Sequence, residues 1–116
     1  MEKFMYLFRG GDNHAYNAND SEVAAQNMQR WVKWMESLGQ KGILVDGEPL
    51  QPTGKQVNGS KKTIIDGPFV EAKELVGGYL IVNAKDINDA VEISKGCPIF
   101  DENGKVEVRP IQKMEM

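Results

Sequence analysis

Val76-Gly77-Gly78-Tyr79-Leu80-Ile81-Val82-Asn83 has the length of a strand and is apolar at four consecutive positions, Tyr79 to Val82. Successive strand residues point to opposite faces, so this segment is apolar on both. Phe4-Met5-Tyr6-Leu7-Phe8 repeats the pattern, with Phe4, Tyr6 and Phe8 on one face and Met5 and Leu7 on the other. An antiparallel sheet with one wet face alternates apolar and polar residues instead. A sheet containing these two strands therefore needs cover on both sides.

Outward from these strands the chain alternates element types. Residues 10 to 19 hold three Asn, two Gly and an Asp and read as a loop. A helix follows from Ser21 to Leu38, with Asn19, Asp20 or Ser21 as cap and Glu22 placed as in a capping box. Ala24, Met28, Trp31, Met35 and Leu38 share one helical face, and Gly39 is placed to close the helix in a left-handed cap. Ile43-Leu44-Val45 predicts a second strand, stopped by Asp46-Gly47. Gln56-Val57 and Lys61 to Ile65 flank Asn58-Gly59, a hairpin signal. Asp66-Gly67-Pro68-Phe69 breaks that strand. After Val76 to Asn83, Asp86 caps a second helix running through Lys95, ended by Gly96 and Cys97-Pro98. A turn at Asp101 to Gly104 leads into a last strand, Val106 to Ile111.

The order strand, helix, strand, hairpin, strand, helix, strand is a split β-α-β pattern, an α+β ferredoxin-like domain with an extra β-hairpin. Two helices cover one face of its antiparallel sheet. A second copy of the same sheet is the simplest cover for the other face, so a homodimer through the sheet face is expected. The alternative is that the hairpin folds over that face in a monomer.

The chain has 116 residues, 41% hydrophobic and 27% charged, which suits one domain over residues 1–116. A net charge of −3 with no basic stripe argues against nucleic-acid binding. No apolar stretch approaches the roughly 18 residues of a membrane span, and the first residues carry no export signal, so a cytoplasmic location is expected. The single cysteine, Cys97, forms no internal disulfide.

Asp66-Gly67-Pro68-Phe69 continues as Val70-Glu71-Ala72-Lys73-Glu74 and then Gly77-Gly78-Tyr79. With Trp34, Leu38 and Gly39, Leu50 and Pro52, Ala90, Cys97-Pro98 and Glu107-Val108-Arg109-Pro110, this run resembles the YCII-related family, in its DGPF-domain branch. The resemblance spans nearly the whole chain. It implies a ferredoxin-like fold whose sheets pair face to face as a dimeric α+β barrel. It implies no single reaction, because the wider superfamily includes cofactor-free monooxygenases, isomerases and small lyases. The wider family's pattern has a His on the first helix, proposed to act with an Asp. Residues 21 to 38 hold no His, so that dyad does not carry over.

The candidate site residues each have a structural reading beside the functional one. Asp66 is a turn residue, or an acid/base group at a pocket mouth. Glu71 and Lys73, with Glu74, are a solvated cluster or contacts to a polar ligand. Arg109 is a structural ion-pair partner or a carboxylate clamp. His14, the only histidine, is an exposed loop residue or a general base. Cys97 follows a helix C-terminus, where the dipole disfavours a thiolate, and reads as packing. No metal-ligand, P-loop or dinucleotide motif is present, so neither metal nor cofactor is expected. A cleft between sheet and helices would be lined by Tyr6, Trp34, Phe69 and Tyr79, with Asp66 and Arg109 as polar anchors. The expected function is binding of a small polar or aromatic metabolite by a homodimer. The alternatives are a cofactor-independent lyase or isomerase using Asp66 and His14, and a partner-binding module in transcriptional regulation.

Overall fold

The computed structural model describes residues 1–10, 21–67 and 74–114, apart from the side chains of Ser21, Val23 and Ala24. In chain order the elements are β1 (Glu2–Gly10), α1 (Ser21–Gln40), β2 (Leu44–Pro49), β3 (Gly54–Asn58), β4 (Thr63–Gly67), β5 (Val76–Ala84), α2 (Ile87–Ser94), a 3-10 turn (Pro98–Glu102) and β6 (Gly104–Pro110). Strands β2-β5-β1-β6 form an antiparallel sheet in that order, and β3-β4 form a separate two-stranded sheet. This is the ferredoxin-like order of the four main strands, with the hairpin inserted between β2 and β5.

The two-faced strands take the central places. Tyr6 lies opposite Leu80 on one side and Val108 on the other. Phe4, Tyr6, Phe8, Leu80 and Val82 are buried beneath Leu38 of α1 and Ala90 of α2. Full burial of each large side chain contributes about 1.5–3 kcal/mol, so this single layer between sheet and helices is the main source of stability. Met5, Leu7, Tyr79 and Ile81 lie on the other face, half-buried by their neighbours, while both helices pack on the core side. Asp86 caps α2 by accepting from the Asp89 backbone N–H at 2.8 Å.

Four local expectations are corrected. Helix α1 passes Gly39 and closes at Gly42 (φ 72°). Ile43 N–H donates to Leu38 O at 2.9 Å and Gly42 N–H to Gly39 O at 3.1 Å, the paired bonds of a Schellman closure. The apolar pair Leu38 and Ile43 brackets Gly42, and that contact decides which glycine ends the helix. Strand β2 continues through Asp46-Gly47 to Pro49. A register shift between Leu44 and Asp46 absorbs Val45, and Asp46 Oδ1 accepts from its neighbour Gly47 N–H at 2.8 Å instead of turning the chain. In the hairpin Asn58 pairs with Thr63, so the turn is the four residues Gly59 to Lys62 and not Asn58-Gly59. Gly59 (φ 71°) and Lys62 (φ 56°) take its left-handed positions. The buried face of α1 passes through Asn27, Trp31, Trp34 and Leu38, leaving Met28 55% exposed. The Ala24 side chain of the expected face lies outside the described residues.

Candidate functional site

On α1, Asn27, Trp31 and Met35 follow at steps of four and so share a helical face. They overhang the β2–β5 edge of the sheet. The space between is a cleft of about 260 Å³, floored by Gly47, Gly78 and Leu80 and closed at one end by Ile99 and Glu102 of the 3-10 turn. The floor is flat because it has to be. A Cβ on Gly47 would stand 2.2 Å from Leu80 Cδ2 and 2.7 Å from Tyr79 O, and one on Gly78 would stand 3.0 Å from Glu48 O.

The wall is aromatic. Trp31 meets Phe8 edge to face, with centroids 5.0 Å apart and planes at 87°, and Trp34 extends the cluster at 6.0 Å from Trp31. The polar lining groups are Asn27 of α1, Glu102 of the 3-10 turn and Glu48 of β2. Asn27 is 3% exposed, and its Oδ1 accepts from Arg30 Nη2 at 3.3 Å. Arginine only donates, so this bond fixes the carboxamide orientation and leaves the NH2 as the donor. Arg30 Nη1 also approaches Asp101 Oδ2 at 3.6 Å, tying α1 to the 3-10 turn. Glu102 is buried, and Glu48 borders the cleft from the exposed side of β2. The lining thus contains two carboxylates and, among the described residues, no lysine or arginine.

The residues singled out in the sequence fall in several places. Tyr6 is fully buried; its hydroxyl donates to Ala90 O at 2.5 Å, and its ring stacks on Trp34 with centroids 6.4 Å apart. Burial raises its phenol well above the ordinary range, with the charges of Asp89 and Cys97 adding. Tyr79 borders the cleft, while its place between buried Gly78 and Leu80 groups it with Leu7 and Ile81 of the open face. Arg109 lies opposite Met5 at the β6 edge, exposed. Asp66 is in the separate hairpin, 85% exposed, 3.4 Å from Lys55 Nζ. The structure therefore brings Tyr6 and Trp34 together and sets Asp66 and Arg109 in different sheets. His14, Phe69, Glu71 and Lys73 lie outside the described residues. Cys97 is in the core, its thiol pushed up to about 12 by burial and by the charges of Glu102 and Asp101, against the backbone bond from Ile99.

Asn27, Glu48 and Glu102 are absent from that set. Asn27 had a signal: it precedes Trp31 by four residues and Met35 by eight, a polar group on an otherwise apolar stripe. Glu48 and Glu102 had none, since each becomes a lining residue only through long-range packing. Among the described residues, no group of three His, Cys, Asp or Glu could hold a metal ion, and no helix is long and apolar enough to cross a membrane.

Comparison with known proteins agrees with the fold. The model of the YCII-related domain matches residues 3–115, and the chain belongs to that family. A solved structure of similar fold is 5-chloro-2-hydroxyhydroquinone dehydrochlorinase from Burkholderia phenoliruptrix, in complex with 2,5-dihydroxybenzoquinone. It superposes with a TM-score of 0.51 at 16% identity, covering 95% of this chain and 93% of that one. No protein of the curated set matches the sequence.

Proposed function

We propose that this YCII-related domain, of the DGPF branch by its Asp66-Gly67-Pro68-Phe69 run, is a homodimer that binds a small hydroxylated ring compound in the cleft under α1. The observation that carries the reading is the lining: an aromatic wall from Trp31 and Phe8, a flat glycine floor, and the polar groups Asn27, Glu48 and Glu102. At about 260 Å³ the cleft is just below the usual range of ligand pockets, which suits one substituted ring rather than two. Among its described residues the lining carries two carboxylates and no lysine or arginine, which supports a neutral ligand over an anionic one. The carboxylates favour ring hydroxyls that donate to Glu48 or Glu102 while the Asn27 NH2 donates to a ring oxygen. A structural neighbour of the same fold holds a dihydroxybenzoquinone, which supports the size class. The apolar centre of the open face, Met5, Leu7, Tyr79 and Ile81, supports pairing with a second copy.

Titration of tryptophan fluorescence with hydroquinone, catechol and dihydroxybenzoquinone tests the cleft, with benzoate as the anionic control. Saturable quenching by the neutral compounds is expected, weakened about tenfold or more in Asn27→Ala, where a buried hydrogen bond is lost. Equal binding of benzoate, or an Asn27→Ala titration that matches the wild type, overturns the reading. Light scattering at micromolar concentration tests the dimer; the monomer mass of 12.9 kDa refutes it.

A further inference from the structure

Among the described residues, the β3–β4 hairpin neither lines the cleft nor pairs with the main sheet. Its strands are five residues each and pair only with one another. An isolated two-stranded hairpin is marginal in water. This one also displays its apolar side: Val57 and Ile64 lie opposite each other and are 64% and 67% exposed. Lys55 and Asp66, two positions along, continue the same face as an ion pair. The molecule is correspondingly open, with a radius of gyration of 15.8 Å against about 13 Å for a compact domain of this length. Its smallest dimension is 18 Å, enough for one sheet and one helix layer.

Charge says what the hairpin fits. Lys55, Lys61 and Lys62 face a single Asp66 within it, on a chain whose net charge is −3. The two edges of the main sheet are of opposite character. The β6 edge carries Lys105 and Arg109 beside Glu107, whereas the β2 edge carries exposed Asp46 and Glu48. Among the described strands β2 is also an outer strand of the main sheet, an edge that can receive another chain.

We propose that the hairpin is a dimer arm: its Val57–Ile64 face and its lysines pack along the acidic β2 edge of a second copy. The inference rests on the homodimer reading and adds the part of the interface that the sheet face does not supply. Two-fold symmetry makes the contact twice, each arm on the other copy's edge. Because Glu48 also borders the cleft, the arm of one copy stands at the mouth of the other's site.

Sedimentation velocity across a concentration series tests this. Val57→Ser with Ile64→Ser is expected to raise the dimer dissociation constant at least about tenfold with an unchanged circular dichroism spectrum, since both side chains are exposed in the single chain. A charge swap gives the sharper test. Lys61→Glu with Lys62→Glu, and separately Asp46→Lys with Glu48→Lys, each place like charges at both contacts of their own homodimer. An equimolar mixture restores complementary charge at both contacts, so heterodimers form at near wild-type affinity. A wild-type dimer whose affinity neither variant pair changes, or a mixture that fails to recover, overturns the arm while leaving the sheet-face dimer intact. A wild type that stays monomeric to about 100 µM overturns both. Retention of that monomer on phosphatidylserine vesicles through Lys61 and Lys62 would give the arm to a lipid surface instead.

Discussion

Gly47 and Gly39 give opposite outcomes for the same substitution. Gly47 lies in β2 opposite Leu80, and an added methyl would stand 2.2 Å from Leu80 Cδ2, 2.7 Å from Tyr79 O and 3.1 Å from Leu80 Cα. The side-chain carbon can swing aside, but the carbonyl oxygen and the Cα belong to the neighbouring strand. Restoring ordinary contact to that oxygen means moving β2 and β5 apart by roughly half an ångström along a ladder set by hydrogen-bond length. Overpacking of this kind costs about 1–3 kcal/mol. The lower chain entropy of unfolded alanine offsets about 0.4–1 kcal/mol, leaving Gly47→Ala destabilised by about 1–2 kcal/mol. Gly39 has nothing within 4 Å of its would-be Cβ and sits inside α1. Gly39→Ala is therefore stabilising by about 0.5–1 kcal/mol. Urea unfolding at one fixed protein concentration reads both, because the proposed dimer would contribute to apparent stability. With a slope of about 1–3 kcal/mol per molar, the Gly47→Ala midpoint falls by roughly half a molar or more while the slope holds. The reasoning fails if Gly47→Ala matches the wild type, or if the two substitutions shift the midpoint in the same direction.

Three further outcomes follow from single contacts. Asp86→Ala removes the side-chain cap on Asp89 N–H and lowers stability by about 1 kcal/mol, seen as a lower thermal midpoint. Tyr6→Phe deletes the buried hydroxyl that donates to Ala90 O and costs about 1 kcal/mol in urea unfolding. The thiol of Cys97 is pushed from 9.0 to about 12, so the folded state holds its proton between those values while the unfolded state releases it. Stability is then full below pH 9 and falls at up to about 1.4 kcal/mol per pH unit above it, a slope that Cys97→Ala lessens in pH-dependent unfolding.

The element order was legible because each element has its own local pattern. The apolar positions of β1, the cap at Asp86 and the alternation of β6 are contained in windows of five to ten residues. The same locality explains the misplaced helix end. Gly39 and Gly42 are equivalent as residues, and only the packing of Ile43 onto Leu38 chooses between them. It also explains why Asp46-Gly47 read as a stop: the close approach of Leu80 that makes Gly47 a strand residue comes from a segment over thirty positions later. Of the expected cleft lining, Tyr79 borders the cleft and Phe69 lies outside the described residues. Aromatic residues under the first helix were expected there, yet Tyr6 and Trp34 stack beneath it as core while Trp31 and Asn27 line the opening. A one-residue change in helical phase moves a side chain by 100° around the axis, enough to exchange a lining position for a buried one.

Strand β5 shows how one segment serves two surfaces. Gly78, Leu80 and Val82 face the helices, and Gly78 and Leu80 form part of the cleft floor; Tyr79 and Ile81 belong to the face proposed to pair with a second copy. Period-two alternation divides these demands along the strand, and Tyr79, which also borders the cleft, is where they meet. Gly78 limits what the cleft floor can become. Glu48 O lies 3.0 Å from a Cβ at Gly78, so a side chain there would push β2 outward, and β2 carries both the cleft margin and the acidic edge offered to the arm. Cleft width, edge position and, in the proposed dimer, the docking of the arm thus depend on one inter-strand spacing, that between β2 and β5. Ligand binding and dimer affinity should change together when a substitution alters that spacing, and independently when it touches only Asn27 or only Val57.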